Sequence, residues 1–139
     1  MKHYNVVAAV VCHDGKYLCM QKGKTKFEYT SYKWEFPGGK IEPGETPQQA
    51  LARELMEEME YPVEVGEELV TVNHEYPDFS ITMTAFLCTP KGDADGFKRR
   101  EHADSKWCSK DELKGLNWAA ADVGVVASIY NILAYPVVS

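Results

Sequence analysis

The chain has 139 residues with 15 basic and 21 acidic side chains, and its net charge of −6 disfavours coating of nucleic-acid polymers or anionic membranes. Apolar content of 45% and charged content of 26% are ordinary for a soluble globular protein, and the length suits one domain over residues 1–139. Cys12, Cys19, Cys88 and Cys108 make no CxxC pair and no zinc-like spacing, so buried free thiols in a reducing cytoplasm are expected.

The first apolar run, Val6–Val11, spans only six residues, and no small-residue cleavage signal accompanies it; neither a signal peptide nor a membrane span is expected. Tyr4 to Cys12 is apolar and β-branched almost throughout, the pattern of a central strand buried on both faces. His13-Asp14-Gly15-Lys16 is a turn, with Asp-Gly as a hairpin signal, and Tyr17 to Gln21 returns as a second strand. Lys22 to Lys33 is a polar loop that carries Lys22, Lys24, Lys26 and Lys33. It is either a solvated loop or a basic lid for substrate phosphates, since lysine serves well as a point charge for phosphate.

Gly38 to Tyr61 reads as a glycine turn followed by a helix. Thr46 can cap that helix, Pro47 suits its first position, and Gln49 completes a capping box. At about 100° per residue, Glu54, Glu57 and Glu58 share one quadrant, while Ala52, Leu55, Met56 and Met59 form the apolar side. Like charges so close repel one another, and a hard, oxygen-preferring cation such as Mg²⁺ would relieve the conflict.

Pro62 stops the helix, and Tyr61 to Val72 reads as a strand and turn. His74 to Thr89 reads as a strand pair around Tyr76-Pro77-Asp78, with Ser80 to Phe86 alternating polar and apolar. Lys91 to Glu101 is a charged, glycine-containing loop, and Lys106-Trp107-Cys108 is a short strand. Ser109 and Glu112 form a second capping box. A final helix is expected from about Ala120 to Leu133, with Val123, Val126, Ile129 and Leu133 facing the core. The order β–β–β–α–β–β–β–α predicts an α+β layered fold.

Gly39, five residues, Glu45, seven residues, Arg53-Glu54-Leu55, one residue, then Glu57-Glu58 resembles the Nudix box of the Nudix hydrolases, here spanning 39–61. One position departs: Glu60 stands where the family usually has glycine. A non-glycine ending the helix in a left-handed conformation costs on the order of 1 kcal/mol. The resemblance implies an α/β/α sandwich with a mixed central sheet, and a short strand at Trp34–Phe36 whose glutamate lies close to the box. It also implies hydrolysis of a nucleoside triphosphate to the monophosphate and pyrophosphate in nucleotide-pool cleansing. Mg²⁺, with Mn²⁺ as an alternative, would be held by Glu54, Glu57, Glu58 and the Gly39 carbonyl.

Arg53 would orient the carboxylates, and Glu45 would either partner it or stabilise the helix start. Glu101, six residues before Trp107, is the candidate general base and further metal ligand from outside the box; a box glutamate is the alternative. Lys22 and Lys40 are the candidate phosphate contacts, and Tyr76 is a candidate stacking aromatic. Asp122 is the candidate base reader, the alternative being electrostatic support of its helix start. Ionised, it would suit the amine of cytosine and favour CTP, dCTP or modified pyrimidines; protonated, it would extend the choice to 8-oxo-dGTP. A non-catalytic nucleotide-binding module is the rival from another class. The expected partner is a small nucleotide, with no polymer and no membrane, and the protein a monomer or homodimer.

Overall fold

The computed structural model describes residues 1–134, with side chains through Asn131; Leu133 and the last five residues of the expected domain lie outside the described side chains. The strands are β1 (Lys2–His13), β2 (Lys16–Lys22), β3 (Trp34–Glu35), β4 (Gly38–Lys40), β5 (Val63–Glu75), β6 (Phe79–Pro90) and β7 (His102–Cys108). The helices are α1 (Pro47–Met59) and α2 (Ala120–Ala134), with a 3₁₀ turn at Glu112–Gly115.

β1 organises the sheet. It runs parallel to β6 from Lys2↔Phe79 to Val11↔Cys88, while its other edge is divided between two antiparallel partners. β4 takes Val6 to Ala8, and β2 takes Cys12 and His13. β5 extends the sheet beyond β6, and β2 carries both β3 and β7, which makes the sheet mixed as expected. Successive side chains of a strand point to opposite faces. Accordingly Val7, Ala9 and Val11 pack with Leu51, Leu55 and Met59 of α1, whereas Ala8 and Val10 pack with Val125, Val126 and Ile129 of α2. The result is one sheet between two helices with a core on each side.

The predicted helix signals hold in detail. Thr46 Oγ1 accepts from the Gln49 amide at 3.1 Å, and Gln49 Oε1 accepts from the Thr46 amide at 3.0 Å. Glu60 caps α1 at φ 47°, the left-handed conformation expected for it. Ser109 and Glu112 exchange the second pair of capping bonds, at 2.8 and 3.3 Å.

Several expectations are corrected. Gly38–Gly39 is not a turn: with Lys40 it forms β4, pressed so closely on β1 that a Cβ on Gly38 would collide with the Val7 carbonyl. The expected strand-and-turn over Tyr61–Val72 is one long strand, β5, that absorbs its irregularity as bulges between Val65 and Val70. β7 begins four residues earlier than the expected Lys106. Met56 is 47% exposed, because the buried stripe of α1 follows Leu51, Leu55 and Met59 at four-residue steps and leaves Met56 about 100° aside. Val123 is 53% exposed, since Asp122 itself, 2% exposed, takes the core-facing position beside Val125 and Val126.

Candidate active site

The acidic face of α1 is held together by an arginine. Arg53 Nε donates to Glu45 Oε2 at 2.6 Å and Nη2 to Glu45 Oε1 at 2.9 Å, a two-pronged grip. Nη1 reaches Glu54 Oε1 at 2.9 Å and Glu57 Oε2 at 3.2 Å, and Nη2 also donates to the Lys40 carbonyl at 3.1 Å. Glu45 is therefore the partner of Arg53, and the guanidinium holds its carboxyl below the usual carboxylate range. Glu42, a participant not anticipated, stands 3.7 Å from Nη1.

Glu54 and Glu58 lie deeper. Glu54 packs onto the backbone of Gly39 so closely that any Cβ there would overlap its carboxylate. Burial, followed by a hydrogen bond with Glu54 and the charges of Glu54, Glu35 and Glu101, pushes Glu58 up to about 8. Two carboxylates in such contact are held together by a proton or by a cation. Among the described residues no three His, Cys, Asp or Glu side chains form a ready-made metal cage. The donor set nonetheless suits a hard divalent cation: every group is oxygen, the Gly39 backbone is open to close approach, and the Glu54–Glu58 contact has a proton to give up. Glu57, whose side chain is 60% exposed, completes the face.

Next to this face opens a cleft of about 970 Å³. Gly38, Gly39 and Lys40 line it together with Lys22, Glu35, Phe36, Tyr76, Phe79, Ala121 and Asp122. Lys22 pairs with Glu35 at 3.5 Å, and Lys40 Nζ sits 4.1 Å from the Tyr4 ring centroid. Tyr76 is a wall of the cleft, only 7% exposed, with its ring stacked on Tyr29 and Phe79 and its hydroxyl accepting from the Ala121 amide. The half-buried Phe27 and Phe79 share that wall. The basic loop is not an isolated solvated segment: Thr25, Phe27, Thr30 and Ser31 bond among themselves, and Tyr29 donates to Asp78 at 2.7 Å.

Asp122 Oδ1 accepts the Phe36 amide at 2.9 Å. Complete burial, and then the charge of Glu35, raise its carboxyl to about 8, so that it stands mainly protonated at neutral pH. The sequence modestly favours an ionised Asp122; complete burial beside the Phe36 amide and the charge of Glu35 favour the protonated form instead.

Glu101 is exposed immediately before β7 and acts electrostatically on Glu58. The next residue, His102, escaped the sequence reading. Its side chain is only 4% exposed, and Nε2 lies 2.9 Å from Glu35 Oε2. The signal that could have found it is a histidine in a charged run preceding a strand, but the glutamate partner comes from β3, 67 residues away.

Residues 1–128 match the NUDIX domain. The chain is 34% identical over 135 residues to the CTP pyrophosphohydrolase of Escherichia coli (strain K12), covering 96% of each chain. It is 41% identical over 88 residues to the 8-oxo-dGTP diphosphatase of Proteus vulgaris, covering 63% of this chain and 78% of that protein. The solution structure of the E. coli ORF135 protein superposes with a TM-score of 0.83 at 32% identity, covering 100% of this chain and 96% of that one.

Proposed function

The chain belongs to the Nudix family, hydrolases of acid anhydrides that generally use divalent metals, and we propose that it hydrolyses a nucleoside triphosphate to the monophosphate and pyrophosphate with Mg²⁺. The observation that carries this reading is the junction at Gly39. There an arginine-bound acidic face meets a nucleotide-sized cleft that Asp122 also lines.

Hydrolysis of a phosphoanhydride asks a protein for positioning and for neutralisation of developing charge. Glu54, Glu57 and Glu58, with the Gly39 carbonyl, would hold the cations; Glu101 is a further ligand in this reading. When bound, divalent ions supply the neutralising charge and activate water. Arg53 keeps the carboxylates aligned, Lys22 and Lys40 offer point charges to the phosphates, and Glu101 accepts the proton of the attacking water. A neutral Asp122 carboxyl offers a donor and an acceptor side by side, a match for the N3 and amine of cytosine and also for the O6 and N7–H of 8-oxoguanine. CTP or dCTP remains our first substrate, supported by the likeness to a CTP pyrophosphohydrolase over nearly the whole chain. The protonated Asp122 supports 8-oxo-dGTP as the second. The role we assign is cleansing of the cytoplasmic nucleotide pool by one domain over 1–139, acting as a monomer or homodimer.

The test is pyrophosphate release with Mg²⁺ across the eight common nucleoside triphosphates, 8-oxo-dGTP and 5-hydroxy-dCTP. Preference for a cytosine nucleotide supports the first substrate, and preference for 8-oxo-dGTP replaces it with the second. Tight nucleotide binding without turnover would overturn the enzymatic reading in favour of a binding module.

A further inference from the structure

We propose that Glu60, the residue after α1, is a positioning residue that holds the Glu101 loop against the acidic helix. The inference rests on the role assigned above to Glu101. Glu60 occupies the left-handed cap at φ 47° and ψ 42°, a conformation that glycine adopts without strain and glutamate does not. The position gives its carboxylate a use that glycine lacks. It pairs with Lys98 Nζ at 3.1 Å and with Arg100 Nη2.

The same three-residue stretch is tied to the helix end by its backbone and by a second arginine nitrogen. The Lys98 amide donates to the Met59 carbonyl at 2.8 Å, and Arg100 Nη1 donates to the Glu57 carbonyl at 3.4 Å. α1 has no basic residue in its own last turn. Lys98 and Arg100 therefore supply, from a distant loop, the positive charge that the carbonyl end of a helix favours. Glu101 follows Arg100 directly, and on its other side His102 is anchored to Glu35 at 2.9 Å. Glu101 is thus suspended between two fixed neighbours, opposite Glu58. Exposed ion pairs contribute little to global stability, so the gain from this arrangement is in location.

Glu60→Gly and Glu60→Asn separate location from stability, because both residues suit a left-handed cap and neither carries the charge. The full-length variants would be compared with wild type by thermal melting, by trypsin digestion mapped at Lys98, Arg99 and Arg100, and by steady-state kinetics on the best nucleotide of the panel. The expected result is a melting temperature equal to or above wild type, with cleavage at the three basic residues faster by about tenfold. kcat should fall by about tenfold with KM nearly unchanged, as is common when the support of a working group is removed. Glu60→Asp, which keeps the charge, should recover part of both losses. Unchanged cleavage in the glycine and asparagine variants overturns the clamp, and faster cleavage with unchanged kcat overturns its positioning role. If the wild type hydrolyses no nucleotide, the proposed function fails by itself, while the cleavage comparison still decides whether Glu60 holds the loop.

Discussion

Arg53 grips Glu45 with two guanidinium nitrogens, at 2.6 and 2.9 Å, and the pair spans from the loop before α1 to the middle of that helix. Three further carboxylates and a backbone carbonyl lie within reach of the same guanidinium. Arg53 is therefore the fixed cation around which the acidic face of α1 is arranged, and its orientation depends on Glu45.

Lysine cannot reproduce that fork. Arg53→Lys is expected to lower kcat by about 10–100-fold, the usual effect of removing a group that orients ligands, with a smaller fall in melting temperature. Steady-state kinetics beside thermal melts check this. A variant as active as wild type would show that the acids hold their places without the fork.

Mg²⁺ binding should be linked to one proton. Glu58 is held up to about 8 in the metal-free chain, so near neutral pH a cation must displace its proton, and affinity should rise with pH until that value is passed. Calorimetry in two buffers of different ionisation enthalpy would show proton release, and Glu58→Gln would abolish it. In a thermal shift, Mg²⁺ should raise the wild-type melting temperature.

Asp122 makes the opposite contribution to stability from a salt-bridged acid. Its carboxyl titrates near 3.8 when unfolded and is raised to about 8 in the fold, so between these values only the folded state keeps the proton. Stability should consequently decline as pH rises through that window, by at most about 1.4 kcal/mol per unit. Asp122→Asn keeps an oxygen for the Phe36 amide and does not ionise. The variant should lose this slope and be the more stable form at about pH 8, which melts across pH would reveal. Its nucleotide preference should shift more than its need for metal.

Glu57 presents the most exposed carboxylate of the face, with a 3.2 Å contact to Arg53 and no core packing. Glu57→Gln should reduce turnover by about 100-fold or more while the melting temperature stays close to wild type. Near-normal turnover would remove Glu57 from the metal ligands.

Local rules made much of α1 legible. Thr46 with Gln49 and Arg53 with Glu57 follow from spacing within one or two turns, and the left-handed Glu60 from its place at the family's usual glycine. Val126 and Ile129 of the expected α2 stripe are buried but Val123 is not, because Asp122 turns inward to meet the Phe36 amide, 86 positions away and just after β3. The His102–Glu35 pair was hidden for the same reason: it exists only because β3 and β7 flank β2 on its two edges. Gly38–Gly39 carried a turn signal in the chain, yet became a strand because the absence of side chains lets β4 press onto β1.

The parallel pairing of β1 with β6 bears on how the molecule assembles. His3 meets Ser80 across 77 intervening sequence steps, so the centre of the sheet closes only after a long excursion of chain has been collected. The β1–β2 hairpin and the capped α1 can form early from nearby residues, but closure of so distant a contact carries the larger entropic barrier. Folding of this domain should therefore be limited by the docking of β6.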